Sequence, residues 1–289
     1  MRNLWLCWLF FLVILSVACE KVQPVALEKP TPVAPAVLSP PVQADPFMEL
    51  VRLRQIKPID FTAMEALYSR HLTDYVAQTD QRHGLGLVGE IQRAFMEGKN
   101  GRNIYGNAQA IDKLIHYAHY LHFTDTLQAL QSQPGAEAHW AELDKAKPVI
   151  QATVLTRSQW VGLNEEYQTR FIELLNEIKA GKAESFDALR SLLTKVYLLS
   201  VLYELDGLSQ ARGQDADKTA EKVAEAGVYY RFIQPETARR DEAGQQIVSR
   251  QLALPAEEMD LDAVKQLLAR IFAAELADIP PDRIGLASK

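Results

Sequence analysis

Cysteine is almost missing from this chain, with two in 289 residues, at positions 7 and 19. That excludes a disulfide framework and any four-cysteine zinc module. Histidine is scarce at six. Basic charge is in deficit, with 31 Lys and Arg against 37 Asp and Glu and a net charge of −6. Nucleic acid is therefore not expected as a partner, because phosphate binding needs a dense basic patch. There is no GxSxG, P-loop, HExxH, CxxCH or CxxC, and no Glu-x-x-His pair of the di-iron bundle type. Each of these is the marker of a familiar enzyme or cofactor class. Gly84-x-Gly86-x-x-Gly89 matches the dinucleotide fingerprint by letter. That motif works only between a strand and a helix, with an acid about 20 residues on. Here a helical segment precedes it and Gln109 stands at the acid's place, so it reads as a helix-breaking turn and no nucleotide is expected. What the chain does have is an ordinary globular composition, 48% hydrophobic, enough for a substantial core.

Its first 19 residues, MRNLWLCWLFFLVILSVAC, carry one charge, Arg2. Leu4 to Val17 is almost wholly apolar. Its length suits a signal-peptide core and falls short of the roughly 20 residues of a membrane span. Small residues then precede a cysteine, in Ser16-Val17-Ala18-Cys19. This end resembles a bacterial lipoprotein signal with its lipobox, with Ser16 at a position where that pattern usually has Leu. The resemblance implies a signal peptide over 1–18, cleavage before Cys19, and a lipid on the Cys19 thiol that anchors the chain to a membrane. Cys7 leaves with the leader, so no free thiol remains. Glu20 stands where an Asp commonly signals inner-membrane retention, which favours the outer membrane, with the body in the periplasm of the cell envelope.

Residues 19–45 read as a tether. Seven of the chain's 14 prolines fall between Glu20 and Pro46. Such a run favours extended polyproline II, packs no core, and at about 3.1 Å per residue reaches on the order of 80 Å.

From Pro46 to Lys289 the periodicity is helical throughout, and no stretch alternates with period 2 for long enough to suggest a sheet. The expected fold is all-α, a multi-helix bundle behind the Pro-rich disordered tether. Asp45-Pro46 has the form of an N-cap and first-turn proline. Thr62-x-x-Glu65 has capping-box spacing and should open one helix to about residue 82. Further helices are expected over 87–97, 108–130 and 137–145, the last ending before Pro148. The stripe Trp160, Leu163, Tyr167, Phe171, Leu174 and Ile178 predicts a helix closed at Gly181. Ser185 should cap the next, and Leu189 to Leu208, apolar nearly all round, should be the central buried helix. A helix over 217–234 should close at Pro235. Residues 236–257 look unpatterned, and Asp260 should cap a last helix to about Ile279.

Chemistry concentrates in one place, Ile111 to Asp125, where three of the six histidines lie within seven residues. On a helical wheel His122 falls near the apolar centre, three residues from Asp125. Asp112, His116 and His119 gather on a flank, between about 80° and 140° from Ile111. His and carboxylate at such spacings can bind zinc, iron or copper. His71, on the apolar side of its own helix, could add a ligand. The competing expectation is a satisfied His122–Asp125 pair and a solvated flank. A second set, Glu204 and Asp206 with Glu221 and Glu225, is expected to pair with Lys195, Arg212 or Lys222. The sequence points first to a membrane-anchored envelope lipoprotein, with a non-enzymatic interaction or accessory domain and an envelope protein as partner. The alternative is a periplasmic metal-handling lipoprotein using the His/Asp cluster with a divalent transition metal. No cofactor is required by any motif.

Overall fold

In the computed structural model, which describes residues 45–286, the chain opens as a capped helix. Asp45 accepts from the Phe47 and Met48 amides, and Pro46 sits in the first turn. The expected signal peptide, the expected lipid site at Cys19 and nearly all of the expected Pro-rich tether lie outside the described residues.

α1 (Pro46–Gln55) leads to α2 (Phe61–His71) and α3 (Thr73–His83). One helix is expected here; the chain instead breaks at Leu72, and the cap is Asp60, not Thr62, with Asp60 accepting from the Ala63 amide. Gly84 and Gly86 both take left-handed conformations, which L side chains resist. They turn the chain into α4 (Leu87–Lys99), so the glycine fingerprint is a turn between helices. Asn103, also left-handed, precedes the 29-residue α5 (Ile104–Ser132).

α6 (Glu137–Trp160) runs straight through Pro148, and α9 (Ala216–Arg240) through Pro235. Both prolines were expected as helix ends. Each is exposed, on the side where water can take the carbonyl it frees. Buried Val149, Ile150 and Val154 hold α6 past its proline, and Phe232, Ile233 and Thr237 do so for α9. Trp160 accordingly ends α6, and the stripe after it is α7 (Glu166–Lys179). α8 (Glu184–Ala211) is the central buried helix anticipated. Ser185 does not cap it; its hydroxyl donates to Glu177 Oε2 at 2.6 Å. The stretch expected to be unpatterned contains α10 (Glu242–Leu252), which inserts little more than Val248. The last helix is split into α11 (Leu261–Ile271) and α12 (Ala273–Leu276) at Phe272, between short 3-10 turns at Ala256–Glu258 and Pro281–Ile284.

The described residues form twelve α-helices and no strand, an all-α multi-helix fold. α8 packs along α9, α5 along α9 and α6, and α4, α3 and α1 close over α5. Because so many helices surround α5, it buries residues on most of its circumference, among them Asp112, His116 and His119.

Candidate functional site

The first half of α5, the second half of α8 and the middle of α9 meet around charged side chains. Lys222 Nζ donates to Glu204 and, at 2.9 Å, to Glu225 Oε2. Glu225 Oε1 lies 3.7 Å from Lys113 Nζ, and Lys113 is 3.1 Å from Asp112 Oδ2. Arg54 of α1 reaches the same Asp112 oxygen with Nε at 3.0 Å. Arg157 of α6 stands 3.5 Å from Glu204 Oε1. Asp112 and Glu204 are each 1% exposed.

Local sequence builds this chain of ions. Lys222 and Glu225 are i,i+3 neighbours on one helix face. The adjacent Asp112 and Lys113 pair with each other and each reaches one further partner, Arg54 and Glu225. Gly207 lets the Lys222 stem cross α8, since a Cβ there would stand 3.0 Å from its methylenes. Burying so many charges is costly and repaid only by mutual pairing.

Their electrostatics differ group by group. Burial, then the Glu225 charge, pushes the Glu204 carboxyl up to about 7. Burial also works against the Glu225 charge, but Lys113 and Lys222 outweigh it and hold that carboxyl at about 2. Lys113 is likewise opposed by burial and is nonetheless raised by Asp112, Tyr229 and Glu225.

Beside the ions lies an aromatic layer that holds His116 and His119. His116 Nε2 is 3.0 Å from the Tyr197 hydroxyl and 3.4 Å from that of Thr153, with Phe232 and Tyr229 edge-on to its ring. Burial, reinforced by Lys113, holds it well below the usual imidazole range, so it is neutral. His119 Nδ1 donates to the Ile115 carbonyl at 2.9 Å, and its ring sits 5.1 Å from Phe47 and 4.6 Å from Tyr75. Burial lowers it too.

Where the other expected site residues fall corrects the helical wheel. The flank trio Asp112, His116 and His119, expected either as ligands or as a solvated face, is buried, because α5 is wrapped on several sides. His122, expected at the apolar centre, is only partly buried. It does not meet Asp125 but lies 3.4 Å from Glu142 Oε2. Asp125 is taken by Arg82 and His83, each at 2.9 Å. His71 is exposed at the end of α2, not on an apolar face. These residues thus do not converge on one site, and among the described residues no three His, Cys, Asp or Glu side chains gather closely enough to hold a metal ion.

Of the lysine partners expected for the second carboxylate set, Lys222 is one. Lys195 pairs instead with Asp278, and Arg212 donates to the Ala256 and Met259 carbonyls. Arg54, Lys113 and Arg157 were missed as members of the network. Lys113 beside Asp112 in an otherwise apolar helix was the available signal; nothing local marks Arg54 or Arg157.

Fold and site together define a class: an all-helical bundle with a chain of largely buried ion pairs between its helices. No family model matches the sequence, and searches of curated proteins and of solved structures find no match either.

Proposed function

We propose that the chain is a lipid-anchored envelope lipoprotein whose helical body is a non-enzymatic interaction or accessory module. The observation that supports this is the order of features along the sequence. The first described helix starts at Pro46, capped by Asp45, directly after a Pro-rich run that follows a lipobox-like Ser16-Val17-Ala18-Cys19. Leader, acylation site, spacer and body thus follow one another in the order a tethered domain needs. The buried cations and carboxylates are largely engaged with one another, which supports a body that works through its surface. Glu20 after the anchor cysteine supports the outer membrane as destination, with the body in the periplasm and an envelope protein as partner.

Expression in a bacterial host with a clickable palmitate analogue tests the anchor. The chain is expected to take up the label, to lose its leader and to fractionate with membranes. Cys19→Ala should abolish labelling and leave the precursor uncut. Labelling that survives Cys19→Ala, or an unlabelled wild-type chain, would sink the proposal.

A further inference from the structure

The three histidines of α5 lie along a helix that is lightly covered. α1 fully buries only Phe47 and Leu50, and Arg54 ties it to Asp112. The Phe47 ring is its contact with the histidines, with its centroid 5.1 Å from that of His119 and 6.2 Å from that of His116. Tyr75 of α3 lies against the same row, 4.6 Å from His119 and 5.2 Å from His122. A helix anchored by so few buried side chains opens at a lower free energy than the whole fold.

His119 is where a proton matters most to α1. It is 6% exposed. Its Nδ1 is committed to the Ile115 carbonyl, so a second proton must go on Nε2. Asp45 at the cap of α1 favours the charged ring, but Asp45 Oδ1 already accepts from the Phe47 and Met48 amides, and burial outweighs it. A charged imidazole prefers water to a dry aromatic layer.

The flanking charges set the order of protonation. For His122, Glu142 of α6 and Asp125 of α5 favour a proton, and Arg82 of α3 opposes it. For His116, Lys113 of α5 and Arg157 of α6 oppose one. The Tyr197 hydroxyl of α8 and the Tyr229 hydroxyl of α9 add no charge, because burial raises both above their ordinary value. His119 stands between, with Asp45 for it and His122 against. The half-buried His122 therefore charges first, His119 next and His116 last.

We infer that α1 is an acid-released strap: a proton on His119 drives its ring out from beneath Phe47, α1 lifts off α5, and an aromatic surface of His116, His119 and Tyr75 is uncovered. The sign follows from linkage. A freed His119 takes its proton near about 6.5, and the covered one takes it only at lower pH. The open state thus binds more protons, so closure is strongest above about pH 6.5 and is lost as pH falls below it, by about tenfold in the opening constant per pH unit for each proton taken up. The strap belongs to the helical body and works whether or not Cys19 carries a lipid.

Hydrogen exchange of the full chain in detergent, read segment by segment at about pH 7.5 and pH 5 and corrected for intrinsic rates, tests it. Protection over Pro46–Gln55 should fall at least tenfold at the lower pH. α8 should keep its protection, since its Glu204 takes up a proton in the fold over the same range. His119→Gln cannot charge and should keep α1 protected at pH 5, whereas His122→Gln should leave the release in place. Should His119→Gln open α1 already at pH 7.5, the imidazole titration of His119 in the wild-type chain, followed by NMR, carries the test, and its midpoint should coincide with the opening. α1 protection unchanged by pH, α1 and α8 failing together, acid release that survives His119→Gln or is abolished by His122→Gln, or a His119 ring still neutral when α1 is open would each overturn the proposal.

Discussion

α5 and α8 run antiparallel, with Asp112 and Glu204 joined through the ion chain at one end and Gln131 bonded to Arg190 at the other. The two ends of these helices, which α9 and α6 bridge, are buried by opposite means. Near Asp112 and Glu204 the interior is ions and tyrosines. Near Phe123, Leu127 and Leu130 it is hydrocarbon, with Phe123 stacked on Phe171 at 5.9 Å and all four side chains fully buried. Both ends exclude water equally well; Glu204 and Leu127 are 1% and 0% exposed. Hydrocarbon packing is tolerant, because a neighbour can shift to fill space. An ion chain fixes partners by identity, so the polar end sets which helices meet and in what register, while the apolar end contributes most of the adhesion.

The comparison can be broken from the polar side first. Glu225→Ala leaves Lys113 with Asp112 alone and Lys222 with Glu204 alone, and should cost about 3 kcal/mol in urea unfolding at neutral pH. It should also change the acid limb. An unfolded Glu225 takes its proton near 4.5 and the folded one only near 2. Between these values the unfolded chain binds more protons, so the stability Glu225 contributes is complete above pH 4.5 and is lost as pH falls toward 2. Unfolding measured from pH 6 to 2 should therefore be flatter in Glu225→Ala than in wild type. From the apolar side, Leu127→Ala should cost about 2–4 kcal/mol, the lost transfer free energy plus a cavity, with the wild-type acid dependence intact. Smallest is the exposed control. Lys147→Ala removes an i,i+3 pair with Asp144, the two side chains 37% and 61% exposed, and should cost under about 1 kcal/mol in the same melts. An equal loss at Glu225 and Lys147 would erase the distinction between interior and surface ions.

Much of this fold was legible in the sequence, and the failures have specific causes. Helix existence followed from period, and α8 was recognisable because residues apolar on every side have nowhere to go but the centre. Helix ends were less legible. Pro148 and Pro235 carry the local signal for a stop, and they are overridden because each points to water while its neighbours bury. The site failed differently. A wheel assigns one face of a helix to the core, which holds for a helix packed on one side. α5 is packed by α1, α3, α4, α6 and α9, so its polar flank is as deep as its apolar stripe. Asp112, His116 and His119 therefore looked like a surface and are an interior. Arg54 and Arg157 come from helices far along the chain, and only the tertiary arrangement brings them to their acids.

The first described helix also governs how the body answers to tension applied at Asp45. Such a pull loads α1 from its N-terminal cap. α1 is fastened at both ends, by the Phe47 ring against His119 and by Arg54 on Asp112. The apolar fastening lies next to the point of entry and the ionic one a helix length behind it. A steady load would peel Phe47 and Leu50 away first and meet the Arg54–Asp112 bond last. The body would thus yield in two mechanical steps, with the second guarding the ion chain beneath α1.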